Sequence, residues 1–262
     1  NSNSGTSRAK VKMLTDAFEN AGVSYNTEIM DMYTAFRDKR AGVRALTGNM
    51  KFYMLIEPSV ESYNQVGENG KTLLENAKEF SDTALVVLGR MGGEGTDLPF
   101  VQYRNTTGKY TVDDNMPTDT SRTYLDISVD EEALLDMVTA NFDKVIVVLN
   151  TGNPIEAGLL NDKGIDAVLQ VGFPGQSGTL AIPRLLKGYK TIEKEDGTQE
   201  KVAVTPSGRL SDTYAYDLST NPSFAISGRE GDGYYVDHGR MYADYSEDIY
   251  VGYKWYETAY AD

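Results

Sequence analysis

Three stretches of this 262-residue chain predict an α/β fold with a mostly parallel sheet. Residues 83–89, 144–149 and 166–171 are apolar runs without polar alternation, the pattern of strands covered on both faces. Each run passes straight into a loop that contains glycine: Gly92-Gly93-Glu94-Gly95, Asn150-Thr151-Gly152-Asn153-Pro154 and Gly172-Phe173-Pro174-Gly175. Helical patterns separate the runs, and strand–loop–helix alternation of this kind builds layered α/β folds.

The elements follow in order. In residues 9–21, Val11, Leu14, Ala17, Phe18 and Ala21 share one helical face, and Gly22 is a stop signal. A second helix is expected over 26–39, and a third over 71–81, leading into the first apolar run. The segment 90–127 has little periodicity and is expected as a long functional loop. A helix restarts near 130, where Ser128 and Glu131 have capping-box spacing and Ala133, Leu134, Met137 and Val138 form an apolar face. After the second and third strands comes a helix over 179–187. Residues 190–204 alternate around Asp196-Gly197, the signature of a β-hairpin. The last third, 206–262, reads as short strands and loops rich in Tyr, Gly and Asp. The architecture expected is a three-layer α/β/α sandwich, flavodoxin-like in its general arrangement.

Composition narrows the chemistry. A formal net charge of −14 argues against nucleic acid and anionic membrane as partners. The chain has no cysteine, which excludes disulfides and thiol catalysis, and one histidine, His238, which excludes schemes needing two. No apolar run reaches membrane-spanning length. The compartment stays open between bacterial cytoplasm and secretion.

Glu94 is the residue whose placement calls for explanation. Ligands of open α/β sheets bind at the carboxyl ends of strands, and Glu94 stands there between two glycines. Glycine-rich loops in this position often cradle phosphate. This one lacks GxGxxG and a following Lys-Ser/Thr, and it carries two acids, Glu94 and Asp97, so phosphate is disfavoured. No metal and no cofactor is expected, because there is no histidine pair and the acids lack cation-loop spacing.

Five blocks, in order, resemble the second domain, an (α/β)6 sandwich, of family 3 glycoside hydrolases. They are 82–97 (DTALVVLGRMGGEGTD), 143–154 (DKVIVVLNTGNP), 166–178 (DAVLQVGFPGQSG), 206–217 (PSGRLSDTYAYD) and 245–258 (YSEDIYVGYKWYET). The resemblance spans roughly 9–258. It implies one sandwich domain over 1–262, a fragment lacking its usual first strand and the family's (β/α)8 barrel. The 190–204 hairpin departs from the common pattern, in which a short turn leads into the Pro-Ser-Gly-Arg-Leu block.

The resemblance also implies a function: the second domain of a retaining exo-β-glycosidase, with β-glucosidase the expected activity, acting on a β-linked oligosaccharide or glucoside. Glu94 matches the family's general acid/base, and the aspartate nucleophile is expected on the barrel. Asp97 matches the acidic position of the Glu-Gly-x-Asp pattern, while Leu98 stands where many members have Arg. Arg90, Asp97, Phe100 and Tyr103 are the expected substrate contacts, with Tyr110 a further aromatic of the same loop. The isolated chain is expected to be inactive. Two other readings stay open: a non-catalytic carbohydrate-binding or scaffold module, and a nucleotide-binding domain suggested by the strand–glycine-loop pattern.

Overall fold

The computed structural model of the chain describes residues 11–39, 43–44, 51–52, 57–90, 102–103, 118–119, 121–226, 235–237, 240–242 and 247–260. Its first helix, α1 (Leu14–Asn20), is shorter than the sequence pattern suggests. The reason is a backbone tie: the Lys12 amide donates to the Gln176 carbonyl (2.8 Å), and the Thr179 hydroxyl donates to the Lys12 carbonyl (2.7 Å). Met13, next in the chain, is extended and serves as the helix N-cap. Helix α2 (Thr27–Lys39) follows, its start fixed by Asn26, whose side-chain oxygen accepts from the Ile29 amide. Two-residue strands β1 (Val43–Arg44) and β2 (Lys51–Phe52) pair antiparallel. Helix α3 (Leu73–Phe80) opens with a capping box between Thr72 and Glu75.

Strand β3 (Thr83–Arg90) is the first long strand. The region expected as loop contains a second short antiparallel pair, β4 (Gln102–Tyr103) with β5 (Thr118–Asp119). Helix α4 (Val129–Asn141) begins at the predicted Ser128–Glu131 box, and β6 (Lys144–Thr151) runs after it. A one-turn helix that the sequence did not signal, α5 (Gly158–Asp162), leads to β7 (Ala167–Gln170). Residues 178–181 form a 3-10 turn into α6 (Ile182–Lys187), which Gly188 ends in the left-handed conformation (φ 72°).

The sheet order is β3-β6-β7, all parallel. Strand β6 lies in the middle and is buried on both faces: Val147 is 0% exposed on one and Val148 1% on the other. The outer strands are less covered, with Val87 42% and Val168 45% exposed. One face packs on a cluster that joins Val86, Leu88, Val145, Val147 and Leu149 to Leu134, Leu135 and Val138 of α4, Leu73 of α3 and Met32 of α2. Leu135 is fully buried, so α4 buries a wider face than its predicted stripe. Each side chain of this size removed from water contributes about 1.5–3 kcal/mol.

The predicted hairpin is present as β8 (Tyr189–Glu193) paired antiparallel with β9 (Gln199–Ala203). Its turn closes through Gly197 (φ 79°), whose amide donates to the Lys194 carbonyl. Beyond it the tail is more helical than expected. Among its described residues it holds α7 (Pro222–Ile226) and α8 (Tyr253–Ala259), with a short pair, β10 (Tyr235–Asp237) and β11 (Arg240–Tyr242). The Trp255 indole donates to the Thr220 carbonyl (3.0 Å), tying α8 back to the segment before α7.

Candidate active site

The carboxyl ends of parallel strands form the ligand edge of such a sheet. Register sets Arg90 opposite Thr151, and Leu149 opposite Gln170. The connections starting at residues 91, 152 and 171 therefore leave from one edge. Glu94, Asp97, Phe100, Tyr110 and His238 lie outside the described residues. Tyr103 lies on β4.

Arg90 ends β3. The two-residue period that turns Val86 and Leu88 inward turns Arg90 inward as well, and it is 5% exposed. A buried guanidinium needs a carboxylate and an acceptor for each of its five N–H groups. Glu131 supplies a two-pronged partner, with Nη1 donating to Oε1 (2.6 Å) and Nη2 to Oε2 (2.7 Å). Nε donates to the Tyr124 carbonyl (2.8 Å), Nη1 also to the Gly89 carbonyl (2.8 Å), and Nη2 to the Asp126 carbonyl (2.5 Å). Burial lowers the guanidinium pKa, but the adjoining Glu131 carboxylate more than offsets this, and the net shift is upward. Every donor of Arg90 is thus taken inside the chain. Arg90, expected from the sequence as a substrate contact, is in this structure a strut beneath the ligand edge.

Glu131 has a second task. Its Oε2 accepts the Ser128 amide (2.7 Å) while its own amide donates to Ser128 Oγ (3.1 Å), closing the α4 cap. One carboxylate therefore joins the end of β3 to the start of α4. Between them lies the turn 123–126, closed by the Asp126 amide donating to the Thr123 carbonyl (3.1 Å). The Asp126 carboxylate accepts from the Thr123 amide (2.7 Å) and hydroxyl (2.8 Å). Gln102 is also 5% exposed, and its amide nitrogen donates to the Thr123 (2.7 Å) and Asp126 (3.0 Å) carbonyls.

A partly buried carboxyl lies close by. The Tyr33 hydroxyl donates to Glu57, and the Tyr33 and Tyr63 hydroxyls are 2.8 Å apart. Burial pushes Glu57 up to about 8; the Tyr33 bond opposes this, and the charges of Glu131 and Asp130 add to it. Burial also raises both phenols.

The other two connections are braced differently. Gln170 Nε2 donates to the Thr151 carbonyl (2.9 Å), tying the ends of β6 and β7. The Phe173 ring lies over Gly152 so closely that a Cβ there would be 2.1 Å from its Cε2, so any larger residue would have to push the exposed ring aside. Ala157 and Gly158 donate backbone bonds to the Ala215 and Tyr216 carbonyls, and Glu156 accepts from the Leu218 amide. Burial, with Asp126 and Asp217 nearby, raises the Glu156 carboxyl, and the Leu218 bond opposes the rise.

Residue pattern alone did not assign Gln102 or the 123–126 turn. For Arg90 the signal existed: period two from Val86 places it on the inward face, where a charge requires a buried partner. Among the described residues, no group of three His, Cys, Asp or Glu side chains is arranged to hold a metal ion, and no helix is long and apolar enough to cross a membrane.

A parallel sheet with helices packed on it and its loops gathered at one edge defines the chain as an α/β sandwich domain. The family described as "Glycosyl hydrolase family 3 C-terminal domain" matches residues 5–253, and the chain belongs to that family. It is 28% identical over 258 residues to a beta-glucosidase of Ruminococcus albus, covering 95% of this chain and 21% of that protein. It is 32% identical over 191 residues to beta-glucosidase A of Butyrivibrio fibrisolvens, covering 71% of this chain and 20% of that one. Among solved structures, a beta-glucosidase from Paenibacillus barengoltzii aligns with a TM-score of 0.56 and 26% identity, covering 94% of this chain and 22% of that chain. The chain thus spans about a fifth of the length of these relatives.

Proposed function

We propose that this domain supplies the general acid/base, Glu94, to a retaining exo-β-glycosidase with β-glucosidase activity. Its nucleophile is an aspartate on a (β/α)8 barrel elsewhere in the same polypeptide. The observation that carries the reading is that β3 ends at Arg90 on the ligand edge of a parallel sheet, with Glu94 four residues further on in the sequence and inside the family match. The beta-glucosidase relatives, of which this chain spans only a fifth, support a site completed by another domain.

Retaining hydrolysis uses two carboxyls about 5–5.5 Å apart. The aspartate attacks the anomeric carbon and the C–O bond to the leaving group breaks. Glu94 gives its proton to that departing oxygen. Glu94, now a carboxylate, then takes a proton from water as the water attacks the glycosyl–aspartate ester, releasing the sugar with retained configuration. The acid must hold its proton near neutral pH, which burial beneath a second domain and a nearby aspartate both favour. Asp97, Phe100 and Tyr103 are proposed to contact substrate, the aromatic faces stacking on the leaving-group sugar. The exposed Ile249, Val251 and Tyr253 are proposed to meet the rest of the polypeptide.

The test is Glu94→Gln in the full-length protein. Turnover of alkyl β-glucosides should fall by roughly 10²–10⁴, the range of general acid–base catalysis. Dinitrophenyl glucoside, whose leaving group needs no proton, should still form the glycosyl-enzyme at close to the normal rate. Added azide should then speed release and yield a β-glycosyl azide. Equal activity of the variant and the parent on alkyl glucosides would remove Glu94 from the mechanism. Intact carbohydrate binding without turnover by the parent would favour a binding module.

A further inference from the structure

We propose that Gln102 and the 123–126 turn are positioning elements for the general acid/base, acting with Arg90 from the two ends of the segment that carries Glu94. This inference rests on the reading of Glu94 given above. Its basis is a convergence. Arg90 precedes residues 91–101 and Gln102 follows them; both side chains are 5% exposed, and both donate into one turn. Arg90 reaches the Tyr124 and Asp126 carbonyls, and Gln102 reaches those of Thr123 and Asp126. The Asp126 carbonyl thus accepts from both. The backbone of Gln102 is also paired in register with Asp119.

The turn is itself fixed. The Asp126 carboxylate uses both oxygens on Thr123, and the Arg90–Glu131 pair and α4 cap lie just beyond. The two residues flanking the segment are therefore referenced to one rigid point. Neither anchor is a catalytic residue, because neither has a free donor aimed at the ligand edge: Nε2 of Gln102 is committed to two carbonyls and Arg90 to five acceptors. Their effect is on where the chain enters and leaves. Acid catalysis is sensitive to such placement, since a misplacement near 1 Å costs on the order of a hundredfold.

Gln102→Ala in the full-length enzyme separates positioning from folding. The Thr123 carbonyl keeps the Asp126 amide and the Asp126 carbonyl keeps Arg90, so no acceptor in the turn is orphaned. Expected is a fall in kcat of roughly ten- to a hundredfold on alkyl glucosides, with KM little changed. The fall in kcat/KM on dinitrophenyl glucoside should be under about threefold, because kcat/KM reports formation of the glycosyl-enzyme, which needs no acid for this leaving group, whereas kcat there also reports the base-assisted release. Combined with Glu94→Gln, the same substitution should add no further loss on alkyl glucosides. An equal loss on both substrates would mean fewer folded molecules and would overturn the proposal, as would no loss at all. If Glu94→Gln lacks the leaving-group dependence, the functional reading fails; if it shows the dependence and Gln102→Ala does not, only the positioning role fails. Asp126→Asn, which weakens the turn without emptying a core site, should give the same leaving-group signature at smaller size.

Discussion

Two ion pairs of nearly equal length do different work in this molecule. Arg90 and Glu131 meet at 2.6 Å beneath the ligand edge, with side chains 5% and 6% exposed. Lys194 and Glu200 meet at 2.9 Å on the β8–β9 hairpin, 50% and 47% exposed. Distance alone would rank them together. Solvent separates them. At the hairpin, water solvates either charge when the other is gone. Under the ligand edge no water replaces a lost partner, and the same carboxylate is shared with a helix cap. The buried pair is a fixed reference for everything attached to it, while the exposed pair trims a surface.

The largest expected effect comes from breaking the buried pair. Glu131→Ala strands a desolvated guanidinium and opens the α4 cap together, so the domain should lose about 3–5 kcal/mol of unfolding free energy. Arg90→Lys should recover only part, because an ammonium with three donors cannot span five acceptors. Chemical denaturation of the domain by urea checks both. A loss below about 1 kcal/mol for Glu131→Ala would mean that the pair is open to water.

That prediction shows what was legible in the sequence. The three strands were readable because apolar runs at strand length, interrupted by glycine loops, have few other solutions. The hairpin was readable because Asp196-Gly197 meets a turn that needs a positive φ, and Gly197 adopts 79°. Arg90 was readable only in part. Its site at a strand end suggested a ligand contact, while its partner lies forty-one positions away (|i−j| = 41), beyond any local pattern. Gln102 carried no signal, since a lone glutamine in a polar stretch is unremarkable until the turn it binds is folded. Helix α8 was hidden by its tyrosines, which favour strands as readily as helices. Glu94 is proposed from resemblance combined with its place in the sequence after β3.

A second contrast lies within the buried region. Glu131 has Arg90 as a partner, whereas Glu57 nearby, beside the two phenols, is pushed up to about 8, chiefly by burial. Folded Glu57 therefore keeps its proton in a range where the unfolded chain, titrating near 4.3, has lost it. The folded state binds more protons across that window. Stability contributed by Glu57 is full below the unfolded value, falls as pH rises, and levels off above about 8. The slope within the window is at most about 1.4 kcal/mol per pH unit. Glu57→Gln keeps a hydrogen-bonding group beside Tyr33 and removes the proton. Denaturation of parent and variant from pH 5 to 9 should give a difference that grows in the variant's favour up to about pH 8. Parallel pH profiles would show that Glu57 is ionised in the folded protein.

The smallest effect is expected at the hairpin, and it is the sharpest check on the comparison. A double-mutant cycle on Lys194 and Glu200 should give a coupling of about 0.2–1 kcal/mol, the range of exposed pairs. It should shrink further in 1 M salt, where the screening length is about 3 Å. The same cycle on Arg90 and Glu131 should give a larger coupling that salt barely changes, because ions cannot enter the site. Lys194 can be removed without stranding its partner, as Glu200 stays half in water. If the hairpin cycle matched the buried one in size and salt response, burial would not be what distinguishes them, and the hairpin would have to be covered in solution. Under the proposed function, glucosidase activity of the full-length protein gives the final discrimination. Lys194→Ala should leave both alkyl and dinitrophenyl glucosides unaffected, whereas Gln102→Ala should separate the two.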